Sequence, residues 1–405
     1  MVGRVVQKAK PTQRSQASQP EVPEAQAPPP SLAGDGPVRG ALARTAAWLL
    51  DCRASTAAAA ARLASPPRGS MGDSGGGGSR YPVRRRSGRP EPAKPDEPHS
   101  LVSSKAQRIV IFTGSGISVS SGMSTFSQPG GLYEKARKRF GLDNGMRLFY
   151  YSFYQRHRRQ AQAFFADLYL EADKAVPTPT HNAIKSLADQ GRLVRHYTLN
   201  IDGLASAVGL SLWREKEGPT GGPSGTTAEM HGNIRQICCG ECGHTQPMTH
   251  EVAKVMKRGG TLRCQQPECA SQDTGGEVLR SRIMLYDDGQ GEKITDEIFE
   301  TMEEDVAAAD LILWMGISFE QSASVEYFRK VRRFLQDAER ADSTPQAVVN
   351  PSDEPTFNLE SSVANIEDVN LATVLAKSDD FLPLLARGGR PGGVEAGVPP
   401  GEADA

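Results

Sequence analysis

Apolar residues in this chain gather in short continuous runs separated by longer stretches of mixed character. The sharpest run, Ile109-Val110-Ile111-Phe112, closes on Thr113-Gly114 and predicts a strand buried on both faces of a parallel sheet. Similar runs at 193–199, 282–286, 310–315 and 347–349 predict further strands of that sheet. Between the first two lies a helical pattern from about 132 to 190, in which Leu148, Phe149, Phe153, Phe164, Phe165 and Leu168 recur at turn-like spacing. Pro177 and Pro179 interrupt it, and Thr180 is the predicted cap of a second helix over 181–187. Helical patterns also cover 296–309 and 324–336. Strands alternating with helices of this size predict an α/β fold, a Rossmann-like parallel sheet with helices on both faces.

Residues 1–100 and 387–405 show no such periodicity, so the predicted folded domain is 101–386 and the ends are predicted disordered tails. Residues 39–70, rich in Ala, Arg and Ser with Asp51 as their acid, resemble an organellar transit peptide. Arg84, Arg85 and Arg86 suit a nuclear signal equally well, and a true start at Met71 would discard the first of these segments. The charge is uneven: residues 1–100 carry 15 basic and 8 acidic side chains, the remainder 32 and 40. An acidic folded part argues against direct nucleic-acid binding. No apolar run approaches the ~18 residues of a membrane span. The expectation is therefore a soluble intracellular protein without a membrane partner, in nucleus or cytoplasm ahead of mitochondrion or plastid.

Candidate chemistry sits where predicted strands end. Gly114 and Gly116 form a tight turn after the first strand, and their N–H groups are suited to cradling a pyrophosphate. The small polar residues of 118–131 that follow predict a loop folding over the ligand. Asn200-Ile201-Asp202-Gly203 closes the second strand, at the ligand-binding edge of an open α/β sheet. His231 follows a loop and precedes the cysteines, although an isolated His is more often packed or solvated than catalytic. Of six cysteines, Cys52 lies in the tail and five fall between 238 and 269. Cys239-x2-Cys242 and Cys264-x4-Cys269 form two knuckles able to enclose one tetrahedral Zn2+ with no open position, Cys238 leaving the first ligand ambiguous by one place. Such a closed site is structural.

Taken together, these residues resemble the sirtuin family of NAD-dependent protein-lysine deacylases over roughly 101–386. The resemblance rests on G-S-G-I-S at 114–118, F-S-Q-P-G-G-L-Y at 126–133, N-I-D-G-L at 200–204 and H-G-N at 231–233. The zinc cysteines, L-R-S-R-I-M-L-Y at 279–286 and D-L-I-L-W-M-G-I-S-F at 310–319 extend it. It implies a large dinucleotide-binding domain and a small module made of a helical insertion (about 132–190) and a zinc ribbon (about 236–275). It also implies a reaction on acylated lysines of protein substrates, histones among the candidates, that consumes NAD and releases nicotinamide and O-acyl-ADP-ribose. By the same resemblance, His231 is the general base, Asn200 and Asp202 position the ribose and nicotinamide amide, and Phe126 shields the reacting ribose. Gly114, Ser115, Gly116 and Ile117 match the phosphate turn, and Gly316, Ser318 and Asn350 the phosphate and adenosine side.

The departures fall on the same surface. Where the family has Asp-Phe-Arg this chain has Thr125-Phe126-Ser127; Leu199 replaces the Gln before Asn-Ile-Asp, and Ile317 the Thr after Gly316. A lost charge-assisted hydrogen bond costs about 1.5 to 3 kcal/mol and a neutral one about 0.5 to 1.5, non-additively, so weaker cofactor binding is expected. A deacylase is the leading expectation. A mono-ADP-ribosyltransferase and a weakly catalytic NAD or ADP-ribose binding module are the alternatives.

Overall fold

The computed structural model describes residues 106–214, 224–270, 278–287 and 296–388; the expectations for 1–100 and 389–405 lie outside them. The chain opens with β1 (Ile109–Thr113), a 3₁₀ turn at Ser115–Ser121, and the helices α1 (Leu132–Phe140), α2 (Tyr151–Arg156), α3 (Arg158–Lys174) and α4 (Pro179–Asp189). It continues with β2 (Leu193–Thr198), α5 (Leu204–Ala207), β3 (Thr227–Glu229), β4 (Gly232–Cys238), β5 (Thr245–Pro247), α6 (His250–Lys257) and β6 (Arg280–Ile283). The rest is α7 (Asp296–Ala308), β7 (Leu311–Met315), α8 (Ser322–Asp337), β8 (Gln346–Asn350), α9 (Glu354–Ser362), β9 (Leu371–Leu375) and α10 (Ser378–Ala386).

Six strands form a parallel sheet in the order β3-β2-β1-β7-β8-β9. Although its central strands are apolar throughout, their side chains alternate between two cores. Val110, Phe112, Tyr197, Ile312, Trp314 and Val348 meet Met302 and Val306 of α7 and Phe328 and Val331 of α8 on one face. Ile109, Ile111, Leu311, Leu313 and Val349 meet Ile184 and Leu187 of α4 and Leu382 and Leu385 of α10 on the other. Phe112 stacks on Trp314 at 4.2 Å between ring centroids and on Tyr197 at 5.0 Å, which makes β1 the axis of the sheet.

The 282–286 run, read from the sequence as part of this sheet, belongs elsewhere. Its observed strand, β6, pairs antiparallel with β4 in a separate β5-β4-β6 sheet, with Gly232 opposite Ile283 and Cys238 opposite Arg280. That sheet shares a third core with α1, α2, α3 and α6, containing Phe149, Phe164, Phe165, Ile234, Ile237 and Met256. The predicted cap at Thr180 also shifts. Thr178 caps α4 in a reciprocal capping box with His181, and Pro179 occupies the first turn, where its missing N–H costs nothing. The sequence reading missed β3, three residues long, and β9, an edge strand whose side chains are mostly half-buried.

Candidate functional site

In the large sheet the strand order reverses between β1 and β7, which opens a crevice beyond their carboxyl ends. Gly114 follows β1 and Gly316 follows β7, and there the two strand ends touch. The N–H of Gly114 donates to the Met315 carbonyl and that of Gly116 to the Gly316 carbonyl, both at 2.9 Å. A Cβ on Gly116 would stand 2.7 Å from Gly316 Cα, and one on Gly316, which has φ +61°, would stand 2.5 Å from Ile117 N. In this conformation these glycines let the strand ends close on each other, while their N–H groups are engaged by the chain itself. The 3₁₀ turn that follows half-buries Ser115 and buries Ile117 and Ser118.

Ser118 is the centre of the crevice. Its Oγ donates to Asp202 Oδ2 at 2.7 Å and accepts from Asn200 Nδ2 at 3.3 Å, so one hydroxyl sets both side chains of the Asn200–Gly203 loop. Asp202 Oδ1 accepts the N–H of Leu204 at 2.9 Å, which starts α5. Asn200 is 5% exposed, and its Oδ1 has no partner among the described residues. Below them His196, fully buried, lies 2.7 Å from Thr113 Oγ1, which donates to Thr198 Oγ1, which in turn accepts the Asn200 N–H.

The His231 ring is fixed by Nδ1, 3.1 Å from the Leu199 carbonyl, one residue before Asn200. A carbonyl can only accept, so Nδ1 carries the proton and Nε2 is the lone-pair nitrogen. That Nε2 is inaccessible to solvent and has no partner among the described residues. Burial lowers the pKa of the ring to about 4 against a smaller opposing effect of the Leu199 carbonyl, so the imidazole is neutral at physiological pH.

The other expected residues are braced by neighbouring chain. Asn350 Nδ2 donates to the Ile317 carbonyl at 3.2 Å, and Asn358 Nδ2 to the Ser318 carbonyl at 2.9 Å, bracing the turn after Gly316. Phe126 packs edge-on to Phe149, with ring centroids 5.7 Å apart, and so ties the loop at 118–131 to the helical core. Leu199 and Ile317, two of the departures, are buried in the core with Met230 and Tyr327. At the third, the Ser127 hydroxyl donates to Glu320 in the β7–α8 connection. Sequence reasoning passed over Ser118, although it lies within the G-S-G-I-S motif, and also Glu320, whose pairing across the crevice has no local signal.

In the small module the Sγ atoms of Cys239, Cys242, Cys264 and Cys269 all lie within 4.8 Å of one another, with Cys239–Cys269 at 3.8 Å and Cys242–Cys264 at 3.7 Å. A tetrahedron with Zn–S bonds of about 2.3 Å has edges of about 3.8 Å, so the four thiols fit Zn2+. The same grouping resolves the ambiguity at Cys238, which stands outside it.

The chain has relatives among known proteins. The chain is 27% identical over 258 residues to the NAD-dependent histone deacetylase HST3 of Saccharomyces cerevisiae, covering 58% of this chain and 57% of that protein. It is 27% identical over 264 residues to an NAD-dependent protein deacetylase of Bacillus subtilis, covering 62% and 87%. Against the NAD-dependent deacetylase sir2D of Dictyostelium discoideum it is 29% identical and spans 35% of that protein's length. A Sir2 homologue solved as an NAD complex superposes with a TM-score of 0.50 at 18% identity, covering 70% of this chain and 90% of the other, a likeness of fold. A family model described as Sir2 family matches residues 114–323, more than half of the 405. The crevice, the cysteine cluster and this match lead to one conclusion: the chain belongs to the Sir2, or sirtuin, family.

Proposed function

We propose that this chain is an NAD-dependent protein-lysine deacylase, transferring the acyl group of an acyl-lysine to ADP-ribose as nicotinamide is released. The observation that carries the reading is His231, a neutral imidazole held by Nδ1 and bare at Nε2, anchored to the residue before Asn200. NAD supplies an anomeric carbon with nicotinamide as its leaving group. Asn200 and Asp202, both set by Ser118, would orient the ribose and carboxamide, and Phe126 would cover them. Gly114, Ser115, Gly116 and Ile117 would line the phosphate side, with Gly316, Ser318 and Asn350 toward the adenosine. His231 Nε2 would take the proton of a ribose hydroxyl, the task of a general base. Its pKa of about 4 keeps it in the required unprotonated form at neutral pH while limiting its basicity. The thiolate-bound Zn2+ would hold the small module together. The names of the three relatives above specify deacetylation, one of them of histones, so acetylated histone tails are the first substrates to try.

A specific observation also favours a second reading, binding of NAD or ADP-ribose with little turnover: the Ser127 hydroxyl meets a carboxylate where the family pattern has a cation. Incubation with acetylated peptide and labelled NAD separates the readings. Free lysine with nicotinamide is expected, abolished in His231→Ala with NAD binding retained. Label transferred to protein would instead indicate an ADP-ribosyltransferase, and saturable binding without turnover a binding module.

A further inference from the structure

The Asn200–Gly203 loop is moulded onto β4, and one side chain does most of the moulding. Arg235 leaves β4 and passes beneath the loop, with Nε donating to the Asp202 carbonyl at 2.8 Å. Its NH2 donates to the Ala172 carbonyl at 2.6 Å, in the last turn of α3, where a cation also meets the negative end of the helix. Its NH1 lies 3.5 Å from Asp173 Oδ1, and the other oxygen of that carboxylate is 2.7 Å from His250 Nε2 on α6. The stem is placed as tightly as the head. Gly203 has φ +69°, and a Cβ there would stand 2.7 Å from Arg235 Cδ and 2.8 Å from Asn233 Oδ1. Asn233 Oδ1 accepts the Arg235 N–H at 2.8 Å, and the Ile234 N–H donates to the Ile201 carbonyl at 2.8 Å. The loop that carries Asn200 and Asp202 therefore belongs by sequence to the large sheet but is fastened to the small module.

We propose that Arg235 is a positioning residue, whose planar fork sets the Asp202 backbone against the end of α3 and so presents Asn200 and Asp202 to the dinucleotide. A guanidinium suits this because its donors are rigidly spaced and reach two carbonyls at once, whereas an ammonium is a single point. The inference rests on the deacylase reading for its kinetic consequence, not for its structural one.

Both consequences are measurable on the full chain with Arg235→Met, Arg235→Lys and Asp173→Asn. Met keeps the stem against Gly203 and removes the fork. In Arg235→Met, amide exchange at Leu204 and Ile234, whose N–H groups are bound by the loop, should accelerate about ten-fold without ligand. Deacylation should lose about ten-fold in kcat/KM for NAD while KM for the acyl peptide stays within about two-fold. Arg235→Lys should recover part of both losses, and Asp173→Asn, which leaves the bonds to Asp202 and Ala172 in place, should match the parent. Parental exchange rates in Arg235→Met would overturn the proposal, as would losses that appear equally in peptide KM and in amides throughout the fold. If Arg235→Met does not fold, Arg235→Lys decides: full parental exchange and kinetics there would show that the fork is dispensable. A parent that turns over no NAD would defeat the deacylase reading, and the exchange rates would still judge Arg235.

Discussion

Ser127 stands at the position where the family pattern carries a cation, and its hydroxyl is bonded to Glu320 from the opposite side of the crevice. A guanidinium placed there meets that carboxylate first. Ser127→Arg alone is therefore expected to change NAD affinity little, because the new charge pairs with Glu320. Ser127→Arg with Glu320→Gln leaves the guanidinium to the dinucleotide phosphates and should tighten binding by about ten-fold or more, as expected of a charge-assisted hydrogen bond. Calorimetry on the parent and the two variants decides, and equal affinities in all three would mean that this loop does not face the dinucleotide. Restoring Gln at Leu199 has no such prospect. Leu199 is 8% exposed in the core beside Phe112 and Met230, so an amide there would be buried at a cost of about 1–3 kcal/mol.

At the scale of elements, the cysteine knuckles and the Asn200–Gly203 loop are physically continuous. β4 ends in Cys238, next to the first thiol ligand, and begins at Gly232, next to His231, while its Ile234 and Arg235 support the Asn200–Gly203 loop. Metal binding should thus stabilise the small module without taking part in bond making. Purified protein is expected to hold one Zn2+ per chain, and Cys264→Ala to lose it together with a lowered melting midpoint. Elemental analysis and thermal melting check both points; folded protein with no zinc would refute the assignment. The turn after β7 is a second place where an element sets the site. Its glycine has a left-handed φ and abuts the Gly116–Ile117 backbone, so the crevice floor depends on two strand ends meeting without side chains.

For the whole molecule, two imidazoles and one carboxyl among the described residues are shifted far enough by burial to shape how stability varies with pH. Burial lowers the His196 pKa to about 3 and that of His231 to about 4, from an ordinary 6.5. As pH falls from 6.5 the unfolded chain takes up these protons and the folded protein does not, so the stability they contribute is complete above 6.5 and declines toward acid. Glu229 acts in the opposite sense. Burial raises its carboxyl to about 7 from 4.5, against the pull of Arg282, so its contribution falls as pH rises through that window. His181, whose pKa burial also lowers, adds to the same side, so the imidazoles outweigh the carboxyl and the melting midpoint should fall between about pH 6.5 and 4.5. Glu229→Gln should steepen that fall, since it removes the compensating group, and should raise the midpoint at pH 8 relative to pH 5 more than in the parent. Scanning calorimetry across this range tests it; a variant profile parallel to the parent's would remove Glu229 from the account.

Much of this protein was legible before any tertiary structure, because burial leaves a local record. The run Ile109–Phe112 stated that its strand was covered on both faces, and the helical spacing of Phe149, Phe164 and Phe165 stated that those rings faced a core. The turn at Gly114, the Asn200–Asp202 segment and the paired cysteines could be singled out by residue type and spacing alone. None of these signals carries an address. Whether the strand ending near Tyr286 joined the large sheet or the small one depended on its pairing with β4, which local apolar pattern does not encode. The Ser118 hydroxyl became the hub of the site because folding brought β1 beside β2, and Glu320 met Ser127 from 193 residues away. Nothing in the sequence singled out Arg235. Tertiary packing put it beneath the Asn200–Gly203 loop, because a side chain's hydrogen-bond partners are set by which elements meet, which local pattern does not record.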